Sequence, residues 1–209
     1  MSPDIDIINK IVSLEWRMFR DVNKGKMRAE CQEDYDTFLG MRRAQYLAWS
    51  DNAVELYLDD LNEAVSAGRN LVTEKYIHMM NISEPSKHDA LLDTIVRADE
   101  SVTALAHKIL EKILEQTREL HNTYPIISCA GRPLYSKSDR FGFISVETYQ
   151  LGELLTYSKN TLATLYDHII DMENRGVSLS REILKNTVVF FGYESLDDAE
   201  AQQRRRLVR

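Results

Sequence analysis

Turn-forming residues are scarce in this sequence: 8 glycines and 4 prolines are spread over 209 residues. A chain with so few breakers must run in long uninterrupted elements, which favours helices over short strands. The apolar periodicity agrees. Ile5, Ile8, Ile11, Val12, Phe19 and Val22 recur at helical spacing, predicting a first helix from about Asp4 to Asn23, ended by Gly25. A polar loop from Lys24 to Gln32 carries Arg28 and Cys31. A second helix is expected over about Asp34 to Trp49. A third is capped by Ser50 or Asp51 and stopped by Gly68. A fourth follows Arg69-Asn70-Leu71 to about Asn81, and Ser83-Glu84-Pro85-Ser86 is the clearest internal break.

Beyond that break the pattern predicts one long helix from about Lys87 to Asn122, closed by Pro125. Residues 126–144 read as one long irregular loop containing Gly131, Pro133 and Gly142. Ser145 caps a helix expected to reach about Arg175. Ser178 caps another through Phe191, where Val188 to Phe191 reads as helix in preference to strand. Ser195 and Asp198 resemble a capping box opening a final helix. The expectation is an all-α, single-domain bundle of about seven to eight helices over residues 1–209. Residues 203–209 read as an Arg-rich, solvated tail open to disorder.

Charge and cysteine content narrow the function classes. A net charge of −7 disfavours broad nucleic-acid binding, which rests on Lys and Arg. Arg204, Arg205, Arg206 and Arg209 form a local basic run, whose bland reading is a solvated tail and whose alternative is an anionic lipid or nucleic acid. Two cysteines, Cys31 and Cys129, are too few for a disulfide framework. No apolar run approaches membrane-span length, and Met1-Ser2-Pro3-Asp4 does not begin a secretory leader. A cytoplasmic protein with reduced thiols is the expectation, with a homo-oligomer compatible with the composition.

The informative residues are polar ones where the helical period calls for apolar ones. Glu15 sits four residues after Ile11 and four before Phe19, inside the first stripe. An ionised carboxylate there must be paired, or must reach water at the stripe's edge. On the second helix Phe38, Met41, Arg42, Gln45 and Trp49 share one face. Arg42 there either snorkels or holds a carboxylate. The helix after Ser145 is apolar around most of its circumference, yet carries Glu147, Tyr149, Glu153 and Tyr157. Tyr149, Glu153 and Tyr157 fall at i, i+4 and i+8, a carboxylate between two phenols. That face suits acid–base chemistry, ligand binding or a structural hydrogen-bond network.

Other chemistries have weaker signals. There is no Gly-rich phosphate loop, Cys-x-x-Cys or Gly-x-Ser-x-Gly, so no cofactor is expected. Glu74 and His78 make one i, i+4 metal-type pair. Cys31 is a candidate nucleophile if Arg28 lies close, although a lone Cys is more often a small buried residue.

Several stretches carry a family resemblance. Glu15-Trp16-Arg17-Met18-Phe19, Arg28-Ala29, Cys31-Gln32, Met41-Arg42, Gln45 and Trp49 belong to it. So do Gly68-Arg69-Asn70-Leu71, Thr73-Glu74-Lys75-Tyr76, Tyr124-Pro125, Gly131-Arg132-Pro133, Glu147-Thr148-Tyr149, Gly152-Glu153-Leu154 and Thr156-Tyr157-Ser158. In this order they resemble the uncharacterised family known as domain of unknown function 4125, over nearly the whole chain. Ile126 to Ala130 departs from the run expected after Tyr-Pro. The resemblance implies no reaction, but its pattern includes Glu15, Arg42, Gln45, Glu147 and Glu153, the same misplaced polar residues.

Three functional expectations follow. The first is an enzyme acting on a small, charged, amino-acid-like metabolite. Arg42, helped by Arg28 or Arg132, would hold a carboxylate. Glu15 or Glu153 would pair with an amine or act as base, and Tyr149 or Tyr157 would donate a proton. Gln45, Trp49 and Glu147 would line the pocket, Cys31 is the outside nucleophile, and the loop around Arg132 would cover the site. The second is a non-catalytic ligand-binding or protein-interaction module. The third is a metal-dependent enzyme using Glu15, Glu74, His78 or Glu153.

Overall fold

The computed structural model describes residues 3–22, 32–83, 85–140 and 143–207, with the side chains of 81–83 outside the description. Among these residues the protein is all-α. Its eleven α-helices are α1 (Ile5–Asp21), α2 (Tyr35–Tyr46), α3 (Asp51–Ser66), α4 (Leu71–Ser83), α5 (Pro85–Leu92), α6 (Glu100–Thr123), α7 (Pro125–Cys129), α8 (Val146–Leu154), α9 (Lys159–Asn174), α10 (Leu179–Phe190) and α11 (Leu196–Leu207).

The caps explain most boundaries. Asp4, Asp34, Ser50, Asp99, Ser145 and Ser178 each accept a backbone N–H from the first turn of the helix that follows. Asn70 does the same for α4, accepting from Thr73 at 2.9 Å. Gly68 and Gly176 take positive φ of 68° and 71° where α3 and α9 end, a conformation that costs glycine little.

The helix count exceeds the expected seven to eight for three identifiable reasons. The long helix expected over 87–122 is two, because Asp99 starts α6 afresh by accepting from Val102 N at 2.9 Å. The helix expected over 145–175 is also two. Ser158 starts α9 afresh, its hydroxyl accepting from Thr161 N at 3.2 Å, and Asp60 of α3 reaches across to accept from Ser158 N at 2.9 Å and from the Thr161 hydroxyl at 2.7 Å. Pro125, expected to close a helix, opens the short α7 inside the loop. The remainder of that loop is pinned to α8: Glu147 accepts from Ser136 N at 2.7 Å, and Asp139 from Ser145 N at 2.5 Å. At the C-terminus, α11 carries Arg204, Arg205 and Arg206 in its last turn.

One apolar core joins most of these helices. Ile8, Ile11 and Val12 of α1, Val54 and Leu61 of α3, Ile109 of α6, and Leu162, Leu165 and Ile169 of α9 are all within 1% of full burial. Each such side chain contributes roughly 1.5–3 kcal/mol by leaving water. A satellite cluster of Leu120, Tyr124, Val188, Leu196 and Ala199 seats α11. The polar site lies where α1, α2 and α4 meet α8, and the α4–α8 contact sets its spacing. Gly152 makes that contact possible: a Cβ there would stand 2.8 Å from Met79 Cγ and 2.9 Å from the Lys75 carbonyl oxygen. The second is backbone and cannot rotate away. Gly152→Ala should therefore destabilise the protein by about 1–3 kcal/mol. Calorimetry should show Tm falling roughly 2–4 °C per kcal/mol. An unchanged Tm would mean that α4 and α8 are free to slide apart.

Candidate functional site

Glu15, Arg42, Lys75 and Glu153 meet inside the bundle at 2%, 8%, 7% and 3% exposure. They come from α1, α2, α4 and α8 respectively. Arg42 is the hub. Its Nε donates to Glu15 Oε2 at 2.8 Å, and its Nη2 donates to Glu15 Oε1 and to the Tyr46 hydroxyl oxygen. Its Nη1 donates to Glu153 Oε1 and to Gln45 Oε1, both at 2.9 Å. Lys75 Nζ donates to Glu153 Oε2, and Gln45 Nε2 to Glu153 Oε1 at 3.1 Å. Three phenols complete the network. Tyr46 and Tyr57 donate to Glu15 Oε1 at 2.7 and 2.8 Å, and Tyr157 donates to Glu153 Oε1 at 2.7 Å.

The charges balance, two carboxylates against two cations, as burial demands. Burial pulls the Arg42 pKa down, but the charges of Glu15 and Glu153 prevail and hold it well above its ordinary value. Burial pushes Glu153 up, yet Arg42 and Lys75 hold its carboxyl well below the usual range. Burial raises all three phenols well above 10, with carboxylates adding to it and Arg42 opposing. Trp49 packs edge-on against Tyr46, Tyr57 and Tyr157, giving the cluster an aromatic wall.

Of the residues singled out from the sequence, Glu15, Arg42, Gln45, Glu153 and Tyr157 converge here, with Trp49 against them. Tyr149 does not join the carboxylate it was expected to flank. Its ring instead carries Lys75 Nζ, 3.5 Å from the ring centre, and the Arg132 guanidinium carbon at 4.5 Å. Arg132 is exposed, and Glu147 is spent on pinning the loop. Met41 faces outward at 48% exposure, off the face on which it was placed, because α2 ends at Tyr46 and buries Arg42, Ala44 and Tyr46 instead. Arg28 and Cys31 lie outside the described residues. Glu74 accepts from Arg69 Nε and Nη2, at 2.9 and 2.6 Å, while burial lowers the His78 pKa and its Nε2 has no hydrogen-bond partner among the described residues. Among the described residues no three His, Cys, Asp or Glu side chains group closely enough to hold a metal ion.

Sequence reasoning missed Lys75, Tyr46 and Tyr57. Lys75 had the same signal as Glu15: it falls between Leu71 and Met79 at i, i+4 and i+8, and both of those are buried. The phenols had none, since a tyrosine on an apolar stripe reads as core.

The molecule is thus an all-α protein built around a buried, charge-balanced cluster. The family model described as a protein of unknown function, DUF4125, matches residues 5–201, and the chain belongs to that family. No curated protein and no solved structure matches it. No helix among the described residues is long and apolar enough to cross a membrane.

Removing one partner from a buried ion pair strands the others, which costs about 3–5 kcal/mol. Arg42→Met should lose that much in denaturant unfolding, because Glu15 keeps only two phenols. Adding Glu15→Gln should recover part of the loss, and strict additivity of the two changes would disprove the coupling. The pH dependence has a definite sign. Glu153 titrates lower in the folded than in the unfolded chain, where its ordinary value is 4.5. Its contribution is complete above that value and declines as pH falls below it. Glu153→Gln should therefore flatten the acid limb of the stability–pH curve.

Proposed function

We propose that the protein binds a small, charged, amino-acid-like molecule at the Glu15–Arg42–Lys75–Glu153 cluster. The observation carrying this reading is the burial of four charged groups, joined by three ion pairs, against a largely apolar core. Each buried ion forfeits several kcal/mol of hydration, and an apolar replacement of similar shape is often as stable or more so. The cluster is thus a costly way to fill a core, and it pairs guanidinium and ammonium with carboxylates as a zwitterion would require. Ligand groups would enter by exchange with the internal partners.

The reading stops at binding. Of the cluster's groups whose pKa departs from its ordinary value, every one moves away from neutrality. General-base chemistry through Glu153 would first need a ligand to displace Arg42 or Lys75 from it. One observation favours a second reading, a purely structural clamp: all five N–H groups of Arg42 are already engaged inside the protein.

Thermal unfolding with a panel of free amino acids, their amines and simple carboxylates separates the two. At a hundredfold excess over Kd, binding adds about 2.7 kcal/mol, or roughly 5–10 °C in Tm. Arg42→Met should abolish that gain while still folding at low temperature. No shift across the panel, with native mass spectrometry giving the bare chain mass, would leave the clamp reading standing and end the binding one.

A further inference from the structure

The small-molecule reading leaves open which cations meet the ligand's anionic group, and donor capacity decides this. Arg42 has no N–H to spare. Lys75 does: its ammonium carries three N–H groups, and its partners here are the Glu153 carboxylate and the face of Tyr149. Arg132 has more in reserve. Among the described residues its hydrogen-bond partner is the Ile144 carbonyl oxygen, at 3.0 Å. Arg132 is itself exposed.

Both cations lean on one ring, Lys75 from a buried position and Arg132 from an exposed one. Each gains from the ring's quadrupole, about 0.5–1 kcal/mol at an exposed site, but they repel one another. The four buried charges already cancel, so Arg132 adds a positive charge beside the cluster, across the same ring contact as Lys75. An anion seated at the edge of Tyr149 would touch both cations and remove that repulsion. The surrounding loop is held firmly enough to present Arg132 there, through Glu147 to Ser136 N and Asp139 to Ser145 N.

We propose that Lys75 and Arg132 together anchor the carboxylate of the ligand beside the Tyr149 ring that both cations contact. This rests on the small-molecule reading but relocates the anion from Arg42 to Lys75 of α4 and Arg132, beside Tyr149 of α8. The amine end of the molecule is then directed inward, toward Glu153 and Gln45.

The test uses the full chain and two opposed probes at constant ionic strength. N-acetylglycine carries a carboxylate and no amine; ethanolamine carries an amine and no carboxylate. Backbone and arginine side-chain NMR shifts report where each binds. The expected result is saturable shifts at Arg132 Nε–H and along Ile144 to Tyr149 with N-acetylglycine, and none there with ethanolamine. Arg132→Gln, a change at an exposed side chain, should weaken N-acetylglycine about tenfold or more, as loss of a charge-assisted hydrogen bond does. Saturable N-acetylglycine binding that Arg132→Gln leaves intact, or shifts centred on Arg42, would overturn this anchor and leave the small-molecule reading in place. Equal shifts at Arg132 with ethanolamine would overturn it too. Absence of saturable binding by N-acetylglycine, ethanolamine and the amino-acid panel would overturn both.

Discussion

The guanidinium of Arg42 ties three helices together. Its bonds to Glu15 and Glu153 join α2 to residues 27 positions before it and 111 after it in the chain. None of these groups tolerates burial alone, so each helix must arrive in register with the others. Lys75 adds α4 to the same knot through Glu153. A packing error of an ångström among apolar side chains is absorbed by rotamer changes. The same error here leaves a charge without a partner.

That demand explains features that otherwise look incidental. Gly152 lets α8 approach the α4 backbone beside Lys75, one residue from Glu153. Asp60 braces the Ser158 cap of α9 where the chain turns after α8, and the Tyr157 hydroxyl reaches back to Glu153 although the residue lies beyond the helix end. Trp49 sits past the end of α2 and closes the aromatic wall on the cluster's apolar side. The loop before α8 places the exposed Arg132 against the Tyr149 ring. The polar cluster and the ring that Lys75 and Arg132 share thus both depend on the α4–α8 contact.

Much of this was legible in the sequence, and the boundary is physical. Glu15, Arg42 and Glu153 were found because a charged residue on an apolar stripe violates the helical period. Lys75 violates it equally, between the buried Leu71 and Met79. Tyr149 illustrates the opposite error. Its i, i+4 relation to Glu153 was right, but neighbours along a helix face do not have to bond. Lys75, arriving from another helix, took the carboxylate and the ring together. The breaks at Asp99 and Ser158 were hidden because the apolar pattern continues across both, and one of them depends on a side chain from α3.

The sequence by itself determined the all-α class, most helix starts and the identity of the misplaced charges. Those properties are local: scarce glycine and proline, capping residues within three positions of their targets, and a 3.6-residue period. Only the tertiary structure decided which charges meet, that two carboxylates share one arginine, and that a lysine and three phenols complete the set. Such partners lie tens to more than a hundred residues apart. Their pairing follows from how the helices stack, and no window along the chain contains that information.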